Sequence, residues 1–194
     1  MQFEFQPQRI ALLIIDVQRL FTAPDGPFES DGCAAMIAAI NRLAAHCRAR
    51  GLPVLVSRYA MAADGSDAGL LAGHPVVESG MFSRTSPWTA ADPALSLEAG
   101  DIDLLRNRPG AFHGGGLDTV LRQLGRDQLV LAGLSINNAI STTAREAFAR
   151  DIPVLIPAEC TAAAPFEPAS DRDLAILDTW TAEVVSLADA LERL

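Results

Sequence analysis

The chain has 194 residues, 49% hydrophobic and 20% charged, with a formal net charge of −9. That length suits a single domain, 1–194, with a sizeable core. The acidity argues against a nonspecific nucleic-acid or anionic-membrane surface, and no apolar run reaches the length of a membrane span.

Ile10 to Asp16, IALLIID, is an apolar run ending in an acid, as in a central parallel strand buried on both faces. Asp16 then sits where open α/β sheets place their active sites, and a turn or cap is the other reading of it. VQRLF and a Pro/Gly loop follow. Ala34 to Arg50 is an amphipathic helix stopped by Gly51. Pro53 to Arg58 is a second strand. Tyr59 to Gly100 lacks periodicity, which in a compact domain points to a lid, a binding loop or an interface arm. Within it Met81, Phe82 and Trp88 are candidates for a pocket wall or for ordinary packing. Asp101 to Leu105 is a strand running into RNRPGAFHGGGL, and Leu117 to Leu124 is a helix ended by Gly125.

The stretch Leu129 to Arg150, LVLAGLSINNAISTTAREAFAR, is a buried strand, a polar elbow from Leu134 to Asn138, and a helix. Such a turn aims backbone N–H groups at one place, a natural anion or oxyanion site. Pro153 to Ile156 is a further strand and Ala158 to Ala164 a loop. Asp171 to Trp180 is a helix, Glu183 to Ser186 a last strand, and Leu187 to Leu194 a terminal helix. Strands alternate with helices throughout, which predicts a three-layer α/β/α domain on a mainly parallel, six-stranded sheet.

Cys33, Cys47 and Cys160 have no metal-ligand spacing and read as reduced thiols of a cytoplasmic protein. The N-terminal MQFEFQPQRI lacks the basic start and apolar core of a signal peptide. His46, His74 and His113 are scattered, so neither a metal nor another cofactor is expected. All basic residues are arginines.

The segments ALLIIDVQRLF, LLRNRPGAFHGGGL and LVLAGLSINNAISTTAREAFARDIPVLIPAECTAA resemble, in order and spacing, the isochorismatase-like or cysteine hydrolase superfamily. The resemblance implies a Rossmann-like six-stranded sheet, a homodimer or homotetramer, and a non-proline cis peptide in the elbow, here Leu134-Ser135. It also implies three catalytic positions: an acid, here Asp16; a lysine, here replaced by Arg106; and a cysteine, here replaced by Ala139. Isochorismatases proper carry glycine at the third position and cleave a vinyl ether without an acyl-enzyme. Alanine cannot form a covalent thioester. Arginine stays protonated and is no proton shuttle, but it can hold a carboxylate with two parallel bonds. Its charge near Asp16 is expected to favour the ionised carboxylate.

The reading that follows is a hydrolase or lyase without a cysteine nucleophile. It would act by acid/base chemistry on a small carboxylated substrate, cleaving a vinyl ether or a C–O or C–N bond. Gln18, Phe21, Trp88, Arg108, Phe112, Ser135 and Asn138 are the expected substrate-binding residues. A catalytically degenerate binder of a small molecule or protein is the first alternative. An amidohydrolase with a relocated nucleophile is the second, with Ser135, Ser141 and Thr142 as candidates.

Overall fold

The computed structural model describes residues 3–163 and 171–194. One sheet organises them. Its strands are β1 (Ile10–Ile15), β2 (Val54–Tyr59), β3 (Ile102–Arg106), β4 (Gln128–Leu134), β5 (Val154–Pro157), β6 (Thr161–Ala162) and β7 (Glu183–Val185). They lie in the order β3-β2-β1-β4-β5-β7, with β6 pairing β4 off this path, and every paired neighbour is parallel. The sheet has seven strands where six were expected. The extra one, β6, falls in the stretch expected to be a loop, and two residues are too few to show a period. Ala164, the last residue of that expected loop, lies outside the described residues.

The helices are α1 (Arg19–Thr22), α2 (Cys33–Ala49), α3 (Pro75–Glu78), α4 (Leu117–Leu124), α5 (Ser141–Phe148), α6 (Asp171–Trp180) and α7 (Leu187–Arg193). None is long and apolar enough to cross a membrane. The layers follow from the two-residue period of β1. Its Ile10, Leu12 and Ile14 pack in one cluster with Met36, Ile40 and Leu43 of α2 and Leu187 of α7. Ala11, Leu13 and Ile15 pack in a second cluster with Leu117 and Leu121 of α4, Ala144 and Ala147 of α5 and Leu177 of α6. All six residues of β1 are fully buried, so a continuous apolar run is what a strand covered on both faces requires.

The chain winds from β1 outward through β2 to β3, then returns to lay β4 on the other side of β1. The winding direction reverses between β1 and β4. In open α/β sheets the crevice beyond the strand C-termini at such a reversal is the usual ligand site. Residues 60–100 fold back toward it. A bridge joins Met61 to Ser83 and another joins Gln18 to Ala91. Leu20, Met61, Ala68 and Phe82 form a small core of their own. The regular pieces here are only three or four residues long, which explains the missing periodicity.

Candidate active site

Three strand ends build the site. β1 ends at Ile15, and the next residue, Asp16, adopts a left-handed conformation with φ 56°. Aspartate tolerates that region better than most residues. The turn is pinned where the Asp16 N–H donates to the Ser57 carbonyl at 2.9 Å and the Gln18 N–H donates to the Asp16 carbonyl at 2.7 Å. On the other side, Gly133 of β4 pairs with Ile15 at φ 113°. A Cβ there would stand 1.9 Å from the Ile15 carbonyl oxygen, so only glycine lets β4 close on β1 at this level.

Arg106 ends β3, two strands away from β1, roughly 10 Å across the sheet. Its side chain crosses the end of β2, with the guanidinium 5.6 Å from the centroid of the Tyr59 ring. Nη1 and Nη2 donate to the two carboxylate oxygens of Asp16, each at 2.7 Å. This is the parallel two-bond geometry in which arginine excels. The pair is nearly sealed: Arg106 is 1% exposed and Asp16 6%. Arg106 Nε is buried without a partner.

Burial pushes the Asp16 carboxyl above its ordinary value, and the guanidinium beside it pulls the other way through charge and hydrogen bonding. The expected preference for the ionised form is therefore present as the contribution of Arg106 but is outweighed by desolvation. The outcome is a more basic carboxylate than an exposed aspartate.

After β4 the chain passes through a cis peptide at Leu134-Ser135, at the position the resemblance implied. A π-helical turn, Ile136–Ile140, then leads into α5. The Asn138 and Ile140 N–H groups both donate to the Ser135 carbonyl, at 3.2 and 3.0 Å. The turn delivers Ala139 to the cavity wall. That cavity, about 190 Å³, is lined by Asp16, Leu134, Ser135, Asn138 and Ala139 on the sheet side. Phe21, Phe28, Val76 and Phe82 close it. An adjoining cavity of about 280 Å³ shares Asp16, Phe21, Val76, Phe82, Asn138 and Ala139 and adds Tyr59, His74 and Pro109 among others.

The structure thus brings Asp16, Phe21, Ser135, Asn138 and Ala139 to one cavity, with Arg106 bonded to Asp16. Four other expected binding residues stand elsewhere. Gln18 is fully buried, and its amide serves the fold: Nε2 donates to the Tyr59 and Thr89 carbonyls at 3.0 Å, and Oε1 accepts from the Tyr59 N–H at 2.7 Å. Arg108 donates from Nη1 to the carbonyls of Asp67 and Asn107, bracing the loop above the site. Phe112 belongs to the core under α5, with the Arg150 guanidinium 4.5 Å from its ring. Trp88 packs on the small core beneath Arg19. Each follows a motif or an aromatic in the right segment, but side-chain direction there is set by tertiary bonds that spacing does not reveal.

Phe28, Tyr59, His74 and Val76 line the cavities without having been expected to. All but Tyr59 come from short irregular segments, where no periodicity marks the inward face. His113 is exposed. Cys33, Cys47 and Cys160 are buried in the cluster on the α2 face and line neither cavity. Burial raises their thiols to about 11, 12 and 12 respectively. Among the described residues no group of three His, Cys, Asp or Glu side chains could hold a metal ion.

Comparison with known proteins identifies the family and agrees with the fold. A model of the isochorismatase domain matches residues 10–189. The chain is 31% identical over 161 residues to enterobactin synthase component B of Escherichia coli (strain K12), covering 81% of this chain and 54% of that protein, so it spans about half that relative's length. It is 28% identical over 207 residues to ureidoacrylate amidohydrolase RutB of Methylobacterium radiotolerans, covering 95% of this chain and 80% of that one. The crystal structure of a cysteine hydrolase from Pseudomonas syringae pv. phaseolicola superposes with a TM-score of 0.90 at 26% identity, covering 99% of this chain and 95% of that one.

Proposed function

The chain belongs to the isochorismatase family, and from that premise we propose that it is a hydrolase or lyase working without a cysteine nucleophile. The observation that carries this reading is Ala139 on the cavity wall beside Asp16, with every thiol of the chain buried away from that cavity. A methyl group cannot attack a carbonyl, and in this reading water is the nucleophile.

Asp16 is the acid or base of this scheme. In hydrolysis of a C–N or C–O bond, its carboxylate takes a proton from water as the oxygen bonds to the carbonyl carbon, and later returns a proton to the departing group. In vinyl-ether cleavage, the protonated carboxyl delivers its proton to the methylene carbon. Water then adds to the resulting oxocarbenium carbon, giving a proton back to the Asp16 carboxylate, and the hemiketal collapses to a ketone and an alcohol. Burial raises the Asp16 pKa, a shift in the direction that both roles need. Backbone amides near Ser135 and Ala139 receive the developing negative charge.

Arg106 holds Asp16 in place. Both of its terminal nitrogens are committed to that carboxylate, so as it stands Arg106 positions Asp16 rather than clamping a substrate carboxylate. A non-catalytic binder is the second reading, and the same ion pair favours it, since both Asp16 oxygens are bonded in the structure. A panel of amides, N-carbamoyl compounds and pyruvyl enol ethers separates the two. Turnover that disappears in Asp16→Asn supports the enzyme, whereas ligand binding with no turnover of any member supports the binder.

A further inference from the structure

We propose that His74 is a substrate-contacting residue of this site, donating a hydrogen bond from Nε2 to an acceptor oxygen on a flat, apolar ligand. The inference rests on the reading that the paired cavities are the substrate site, but it needs no turnover.

His74 precedes α3, and its Nδ1 accepts a hydrogen bond from the Val76 N–H at 3.2 Å. A ring nitrogen that accepts carries no proton, so this bond leaves the hydrogen of the imidazole on Nε2. The cap therefore selects the tautomer. His74 lines the larger cavity together with Asp16, Asn138 and Ala139. His74 is exposed while Asp16 is buried, which puts the imidazole at the rim and the carboxylate on the floor.

The other side-chain donors on this wall are the Asn138 amide and the Tyr59 hydroxyl. Arg106 donates to Asp16, the Arg108 guanidinium is turned to backbone carbonyls, and Gln18 is enclosed. The rest of the lining is mostly apolar, part aromatic at Phe21, Phe28 and Phe82 and part aliphatic. The Tyr59 and Phe82 rings meet edge to face at 5.3 Å, and Phe28 and Phe82 stack at 5.8 Å. Such walls favour a planar unsaturated or aromatic body, and a rim donor favours one that carries a carbonyl or carboxylate oxygen. A site built to hydrogen-bond an oxygen discriminates against an analogue lacking it.

The test uses the whole protein and three probes: benzamide, benzoate and toluene, with dissociation constants from NMR titration. Wild type should bind benzamide, benzoate or both more tightly than toluene by about 3- to 10-fold, the range that one net hydrogen bond gives. Two variants separate the donor from the cap. His74→Asn keeps an oxygen able to cap α3 but is too short to reach the ligand, so it should lose the preference while leaving toluene binding unchanged. His74→Gln presents an amide N–H at about the reach of Nε2 and should recover part of it. An unchanged preference in His74→Asn, equal weakening of all three probes, or no preference in wild type would overturn the proposal. Failure of the substrate panel to show turnover leaves this ratio untouched, so the two readings fail separately.

Discussion

Asp16 and Arg106 neutralise each other in a nearly dry place, and that governs what substitutions there will do. Asp16→Asn removes the proton acceptor and should lower kcat/KM by about 100- to 10,000-fold on any substrate the protein turns over. Asp16→Ala should in addition destabilise the fold by about 3–5 kcal/mol in urea unfolding, because it leaves the Arg106 charge buried without a partner. Arg106→Lys keeps a positive charge but gives up one of the two parallel bonds, so both activity and unfolding midpoint should fall. The pH profile follows from the sign of the shift. Asp16 is displaced upward, so when it acts as a base kcat/KM should rise with pH through a midpoint above the ordinary carboxylate value. A midpoint at or below about 4 would contradict the dominance of burial. That Asp16, Arg106 and Ala139 come from nearby strand ends was legible in the sequence, because each ends or follows a strand in the order of the segments. The bonding between Asp16 and Arg106 was not, because it depends on a side chain reaching across β2.

Backbone geometry at the strand ends determines whether those side chains meet. Gly133→Ala should disrupt the β1–β4 contact, since its Cβ has no room beside Ile15 and φ 113° disfavours any side chain. A loss of about 3 kcal/mol or more in urea unfolding is the expected result, at the upper end of what overpacking gives; a cost under about 1 kcal/mol would show that β4 can back away. Gln18→Ala should cost about 1–3 kcal/mol, because it strands the Tyr59 N–H and two carbonyls. Probe affinity should change less than stability does. Six of the seven strands were legible as apolar runs, as was the elbow after β4. What lay beyond sequence reading was β6 and the fold of residues 60–100. There, turns of three or four residues are held by bonds such as those from Arg108 to the Asp67 and Asn107 carbonyls. The bond to Asp67 joins segments 41 residues apart, a separation that no local pattern reveals.

On the scale of the whole molecule, the reversal of winding between β1 and β4 opens the crevice, and the segment between β2 and β3 roofs it. The same architecture puts the cysteines on the α2 side of the sheet, away from Ala139. Association is a property at this scale too. Ile176 and Trp180, four residues apart on α6, are 48% and 64% exposed, and light scattering is expected to give a dimer or tetramer; a monomer at micromolar concentration would refute that expectation. The central claim, hydrolysis or elimination through Asp16 without a thiolate, is tested most directly by kcat/KM on one turned-over substrate. The proteins to compare are wild type, a variant carrying Cys33→Ala, Cys47→Ala and Cys160→Ala, and Asp16→Asn. The account predicts that the thiol-free protein stays within a few-fold of wild type while Asp16→Asn falls by about 100-fold or more. An inactive but folded thiol-free protein beside a fully active Asp16→Asn would contradict it.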